Sequence, residues 1–393
     1  MSLLSTNRIS GLLPSLGLDI GSHMAKIVQV EQAAGRIEVR AAGAFALEDS
    51  VIENGIVRDP KRLGRLIASE LKARQLNISA TVVSIPSNLA TLRWVQLPAL
   101  PSDELRDAAR YKVKRHLPFP VHNAYVEASP PDLSSGDPTG PSLVIAVPRD
   151  VIDSRAEAVE YAGMVPIGAE LEAQALLRVV ERKLNNESAL WRDASLTMID
   201  VGTNNTHMYV VQSQQLQFIR GVKFGSGAIV RAVSKEFNLS FLESEAMLSA
   251  PGTELWNDGI LKVTLGDIPA YVYVQAELEK LTREFLRLLR YFRSLHPERS
   301  YAGILDHVII CGGLASLPGF ADYLHSVLEL RVEKARPFAG MVGKFNKETF
   351  DVIANRQEAY TVGVGLALSG LQGRIKTKGE IHGGREFAWA RSA

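Results

Sequence analysis

One pattern occurs twice in this chain: an apolar run ends in an acid, a glycine and a hydroxyl, and a second apolar run answers it across a short break. The first copy spans residues 16–46 (LGLDIGSHMAKIVQVEQ, then RIEVRAAGAFA), the second 196–224 (LTMIDVGTNNTHMYVVQ, then LQFIRGVKF). Such runs, bounded by Gly- and Asn-bearing breaks, predict β-strands joined by tight turns. Superposed on their aspartates, the copies match at Asp19 with Asp200, Gly21 with Gly202, Ser22 with Thr203 and Val30 with Val211. Phe45 meets Phe224 once one stretch is shortened by two residues. A repeat period close to half the chain is too long for a solenoid. It predicts a duplicated α/β unit, two related domains facing each other across a cleft.

The size of the chain allows this. Its 393 residues, 46% hydrophobic and 22% charged, can bury substantial cores in two or three domains. Lys plus Arg number 44 against 43 Asp plus Glu, so no summed field draws the chain to nucleic acid or an anionic membrane. Cys311 has no second cysteine to pair with, and apolar runs such as 143–147 and 308–311 are far shorter than a bilayer span. The first fifteen residues make a poor signal peptide. A reducing compartment, the cytoplasm, is expected.

Between the repeats, apolar spacing predicts a helix over 60–74 and a buried strand over 80–86. A second helix is expected over 102–116, capped by Ser102, acidic in its first turn, basic in its last and stopped by Pro118 and Pro120. Residues 129–141 (SPPDLSSGDPTGP) predict an exposed loop, followed by a strand over 143–147 and a helix over 151–162. Residues 271–295 predict a long helix, 307–328 a strand, glycine turn and helix, and the end from 371 a solvated tail.

The repeated hairpins carry the chemistry. A glycine at the turn lets phosphate oxygens reach backbone N–H groups, Ser22 adds a donor and Lys26 a point charge. Asp19 repels phosphate unless a divalent cation, Mg²⁺ with its waters, lies between them. The bland alternative for one such motif is a Gly turn whose Asp bonds its own backbone. The second hairpin repeats the pattern with Asp200, Gly202 and Thr203 and adds Asn204, and two unrelated hairpins have no reason to agree in register. Gly312 and Gly313, between a buried strand and a helix, allow a flat ring or ribose to approach the backbone. Gly363 and Gly365 lie in an apolar helical context and predict a close helix contact, not a ligand site.

In this order and at this separation, the motifs resemble those of the actin-like ATPase superfamily over residues 16–368, and more narrowly the PilM family of type IV pilus assembly proteins. LGLDIGSHMAKIVQVE is similar to that family's first phosphate strand pair and MIDVGTNNTHMYVV to its second. CGGLASLPGF is similar to its adenosine motif, and the stretch from VVSIPSNLA to the PFP turn and NAYVE resembles its inserted subdomain. The PFP segment separates the family from its relatives. The resemblance implies an α/β fold of two duplicated ribonuclease-H-like lobes with an inserted α+β subdomain in the first lobe. The expected division is an N-terminal extension (1–15), the first lobe (16–85), the insertion (86–162), a connecting helix (163–190), the second lobe (191–370) and a tail (371–393).

It further implies ATP with Mg²⁺ between the lobes, held by Asp19, Gly21, Ser22, Lys26, Asp200, Gly202, Thr203, Asn204, Gly312 and Gly313, the metal facing Asp19 and Asp200 through water. Glu172 falls where the connecting helix faces the phosphates and could orient Mg²⁺ or water; a solvated helix acid is its open alternative. Glu284 and Arg287 match a family stretch that contacts adenine, although Leu288 stands where a small hydroxyl is usual. Residues 224–227 (FGSG) replace a plain Gly-Gly. The implied partner is the N-terminal cytoplasmic peptide of PilN at the inner membrane, beside other assembly components, with homo-oligomers left open.

The remaining features have plain readings. GSHM at 21–24 is native and not a tag scar, and His23 and His207 are surface or turn residues without metal-ligand spacing. Cys311 is a small buried hydrophobe, and residues 112–116 complement a helix dipole. The expected function is a nucleotide-dependent scaffold with at most slow ATP hydrolysis. A sugar-kinase-type phosphotransferase and an FtsA-like filament-forming, membrane-associated protein are the alternatives.

Overall fold

A computed structural model describes residues 15–48, 50–77, 80–133, 136–187, 195–212, 215–266, 268–295 and 307–372. The first lobe opens with three antiparallel strands, β1 (Ser15–Ile20), β2 (Met24–Ala33) and β3 (Arg36–Ala46). A small hairpin follows, β4 (Ile52–Glu53) and β5 (Ile56–Val57). Helix α1 (Pro60–Ala73) starts where Asp59 accepts the Arg62 N–H and Pro60 supplies a preset φ. Strand β6 (Ala80–Ile85) is buried along its whole length and pairs parallel with β1.

The chain then leaves the sheet for β7 (Thr91–Pro98), α2 (Ser102–Val113), β8 (Ala124–Ala128) and β9 (Thr139–Pro148). These strands form a separate sheet in the order β7-β9-β8. Leu97, Leu105, Ala109, Val113, Val126 and Val144 give it a core of its own. Thr91 pairs with Ala146, so the chain leaves and re-enters the first lobe at neighbouring points. Pro101, not Ser102, precedes α2, and no side chain caps that helix. Helix α3 (Arg149–Tyr161) packs on α1, and its Val151, Ile152, Ala158 and Val159 lie in the first lobe's core. The packing thus gives residues 149–162 to the lobe rather than to the insertion. Strand β10 (Val165–Leu171) completes the first sheet beside β6, and α4 (Glu172–Glu187) follows.

The second lobe repeats the plan. Strands β11 (Ser195–Val201), β12 (Thr206–Gln212) and β13 (Gln215–Val222) form the antiparallel trio, and α5 (Gly227–Phe237) and α6 (Phe241–Leu248) follow. A three-stranded sheet of β14 (Glu254–Leu255), β15 (Ile260–Leu265) and β16 (Ile268–Tyr273) leads into α7 (Gln275–Leu295). The helix expected from 271 therefore begins four residues later, because Tyr271–Tyr273 complete a strand against β15. Strand β17 (His307–Cys311) enters parallel to β11, α8 (Phe320–Leu328) follows the glycine turn, and β18 (Val332–Lys334) closes the sheet. The orders β3-β2-β1-β6-β10 and β13-β12-β11-β17-β18 are the same plan executed twice. Helices α9 (Lys347–Asn355) and α10 (Thr361–Gln372) return to the first lobe, α10 across β1 and β2 and against α4.

Period-two alternation explains why the second sheet is buried on both faces. Ile199, Val201, Met208, Val210, Val308 and Ile310 point into that lobe's own helical core. Leu196, Met198, Tyr209, Val211, Ile309 and Cys311 point the other way, into a core shared with the first lobe. Each such aliphatic side chain contributes about 1.5–3 kcal/mol when buried, so the two lobes are joined by an apolar seam. Residues 1–14 and 373–393, read above as an extension and a tail, lie outside the described residues.

Candidate functional site

Both hairpins end at one cleft of about 1090 Å³ between the lobes. In the first, Asp19 pairs across the strands with Lys26, and the Gly21 N–H closes the turn on the Met24 carbonyl at 3.1 Å. In the second, Asp200 pairs with His207, and the Gly202 N–H closes on the Asn205 carbonyl at 3.0 Å. The turns match atom for atom in their closing bond. The Lys26 Nζ lies 3.8 Å from the Asp19 carboxylate, leaving the ammonium within reach of an incoming anion.

The third element seats against the second hairpin. Gly312 has φ of 87°, and a side chain there would meet Asp200 Oδ1 and the Val201 carbonyl, each 2.5 Å from its Cβ. Its N–H donates to the Glu358 carbonyl at 3.1 Å, tying the turn to the segment before α10. Gly313 faces open space and lines the cleft. The FGSG stretch has a similar explanation. The Ser226 and Gly227 N–H groups donate to the Gly202 and Thr203 carbonyls at 2.9 Å, and a Cβ on Gly225 would stand 2.2 Å from the Gly202 carbonyl.

Glu172 opens α4 at the cleft floor, where its carboxylate accepts the Ser87 N–H at 2.9 Å. Burial, with the Asp19 charge added, pushes Glu172 up to about 7. Burial and then Glu172 push Asp200 up to about 6, against the pull of His207 and Lys26. Three carboxylates thus converge on one floor, yet no group of three or more His, Cys, Asp or Glu among the described residues stands close enough to hold a metal directly. Acids that face one space without closing into a cage suit a cation that keeps its waters, as Mg²⁺ does. The donors suit a polyphosphate: turn N–H groups, the Ser22, Thr203 and Asn204 side chains, and Lys26. The residues present fit Mg²⁺ with a nucleotide.

Asp19, Gly21, Ser22, Lys26, Glu172, Asp200, Gly202, Thr203, Asn204, Gly312 and Gly313 all line this cleft. Glu284 and Arg287 do not. They pair with each other at 2.6 Å on α7, and the Arg287 side chain is 67% exposed. A helix that packs through Leu281, Phe285, Leu288 and Leu289 turns them away from the core.

Two further residues belong here, one of them read from the sequence as a surface or turn residue. His207 is buried, not a surface residue, and lines the cleft with its Nε2 lacking a hydrogen-bond partner among the described residues. Burial lowers its pKa against the pull of Asp200. Room for the ring comes from Gly221 across the ladder, where a Cβ would meet Cδ2 at 2.6 Å. The signal was present, since Lys26 follows Asp19 by seven residues and His207 follows Asp200 by the same interval. Arg155 lies fully buried beneath the cleft, donating to the Gly55 carbonyl at 2.7 Å and the Val151 carbonyl at 3.0 Å. Burial lowers it to about 10, while Glu172 and Asp19 hold the charge in place.

The model of the type IV pilus assembly protein PilM matches residues 17–371. The chain belongs to the PilM family. A solved PilM–PilN type IV pilus biogenesis complex contains a chain that superposes with a TM-score of 0.75, at 22% identity over 92% of this chain and 100% of that one. The ethanolamine utilization protein EutJ from Carboxydothermus hydrogenoformans shares the fold at a TM-score of 0.51 and 13% identity, over 90% of this chain and 89% of that one. Among curated proteins, the cell division protein FtsA of Streptococcus pneumoniae serotype 2 is 22% identical over 81% of this chain and 74% of its own length. FtsA of Enterococcus faecalis is 22% identical over 81% and 77%. This PilM-family chain therefore has the actin-like ATPase fold and belongs to type IV pilus assembly. Among its described residues no helix is long and apolar enough to cross a membrane.

Proposed function

We propose that this chain is a nucleotide-dependent scaffold of type IV pilus assembly, binding ATP with Mg²⁺ between its lobes and an extended peptide, the cytoplasmic N-terminus of PilN, at its insertion. The observation that carries the nucleotide reading is the pair of acid-tipped turns, one per lobe, that line one cleft with Lys26 and the Gly312–Gly313 turn. Turn N–H groups, Lys26 and the hydroxyls would bind phosphate oxygens, and Asp19 and Asp200 would hold the metal. The cation, when bound, neutralises charge between acids and phosphates. Glu172, near neutrality in pKa, could take or orient a water's proton, and the proposed ATP hydrolysis is at most slow.

Calorimetric titration with ATP, with and without Mg²⁺, tests this reading. Lys26→Ala and Asp19→Asn should each weaken binding at least tenfold; unchanged affinity in both removes the site. The peptide reading is supported by the kind of complex its structural neighbour comes from and by the insertion's separate core. A peptide copying the start of the cognate PilN should bind the intact chain and fail to bind one in which residues 91–148 are bridged by a short linker. The chain acts at the cytoplasmic face of the inner membrane, held there through its partners.

A further inference from the structure

Tyr209 is fully buried on the face of the second sheet that packs against the first lobe. A phenol O–H in such surroundings costs stability unless it is bonded. It donates to Ser87 Oγ at 3.2 Å, in the short helical turn that follows β6 in the other lobe. Ser87 Oγ also accepts the Ala173 N–H at 3.3 Å. The same residue holds Glu172 through its backbone, the Ser87 N–H donating to the carboxylate at 2.9 Å. One residue thus joins the two lobes at the cleft floor: the second lobe's phenol bonds the Ser87 hydroxyl, and the Ser87 N–H bonds the carboxylate. Tyr209 also stands two residues beyond His207 on β12, their rings 6.1 Å apart, so both side chains leave the same face of that strand.

We propose that Tyr209 and Ser87 are positioning residues: Tyr209 fixes Ser87, Ser87 fixes the Glu172 carboxylate, and Glu172 therefore holds its place only while the second lobe is seated on the first. The consequence for nucleotide binding rests on the reading above; the bonded chain itself does not. Tyr209→Phe keeps the ring and removes only the donor.

The charged groups that face Glu172 are Asp19 from β1, Asp200 from β11 and Arg155 from α3, and neither Tyr209→Phe nor Ser87→Ala alters them. The test follows the ¹³C carboxyl resonance of Glu172, assigned with Glu172→Gln, against pH in the nucleotide-free full chain. Donors to a carboxylate favour its ionised form. Ser87→Ala and Tyr209→Phe each free the turn that carries the Ser87 N–H, so the midpoint should rise in both, with thermal unfolding showing both variants folded. An unmoved midpoint in folded Tyr209→Phe overturns the proposal. In parallel, Mg·ATP titration should show Tyr209→Phe weakening binding by about three- to tenfold and adding nothing in a Glu172→Gln background. Independent losses in the double variant also overturn it. If the wild-type chain binds no Mg·ATP, the nucleotide reading falls, and the resonance still decides the chain of bonds.

Discussion

Gly312 takes a positive φ where β17 meets the cleft, with Asp200 and the Val201 carbonyl closing the space a side chain would need. Gly312→Ala should lower stability by roughly 1–3 kcal/mol and weaken Mg·ATP binding, measured by denaturant unfolding and calorimetry. Glu172 and Asp200 make a second prediction, because their folded pKa values, about 7 and about 6, lie above their ordinary 4.5 and 3.8. A raised carboxyl binds more protons folded than unfolded, so its stabilisation is complete below pH 4 and is lost as pH rises through 6 to 7. The nucleotide-free chain should thus unfold more easily at pH 8 than at pH 5. The gain in thermal midpoint on adding Mg·ATP should grow over the same window, because the cation favours ionised acids. A midpoint gain independent of pH contradicts this. At this scale Asp19 and Asp200 were readable from the repeat as the acids of two like turns, and Lys26 from the strand that follows the first turn. Arg155 was not, because its role depends on a carbonyl 100 residues away, and His207 was misread because its place matching that of Lys26 in the repeat gives its position but not its burial.

Among the elements, α10 is held where glycines let backbones touch. A Cβ on Gly17 of β1 would come within 2.1 Å of the Gly363 carbonyl, and one on Gly365 within 2.0 Å of the Ala175 carbonyl of α4. The expectation of a close helix contact for Gly363 and Gly365 meets its physical cause here, since no side chain there can move aside to relieve a backbone clash. Gly365→Val should cost 3 kcal/mol or more, about the upper limit of ordinary overpacking, seen as a lowered denaturant midpoint. Helix α9 is tied differently: the Arg74 guanidinium bonds Glu348 at 2.8 Å and the Ala44 carbonyl at 3.0 Å, and also meets Glu70. Arg74→Met should destabilise by about 1–3 kcal/mol, leaving two acids without their cation. Periodicity located α1, β6 and α3 within a residue or two of their observed bounds, since each helix carries its own apolar stripe and β6 is a mostly apolar run. It ran α7 into β16 because Tyr271–Tyr273 are apolar in either period and only pairing with β15 decides between them.

For the molecule as a whole, the shared seam through Met198, Tyr209, Val211, Ile309 and Leu366 joins lobes that could otherwise behave as separate domains. Thermal unfolding of the full chain should accordingly show one main transition, and Mg·ATP at a hundred times its dissociation constant should stabilise by about 2.7 kcal/mol. Two well-separated transitions would mean that the seam does not couple the lobes. The sequence by itself determined the duplication, the strand-turn chemistry of both hairpins and the family, because these depend on residues close together in the chain and on a pattern stated twice. Only the tertiary structure decided that the two turns share one cleft, that Glu284 and Arg287 lie away from it, that residues 149–162 complete the first lobe, and that Tyr209 reaches Ser87. Those outcomes depend on which faces of distant elements become buried against each other, and burial between segments far apart in sequence is set by packing, not by local pattern.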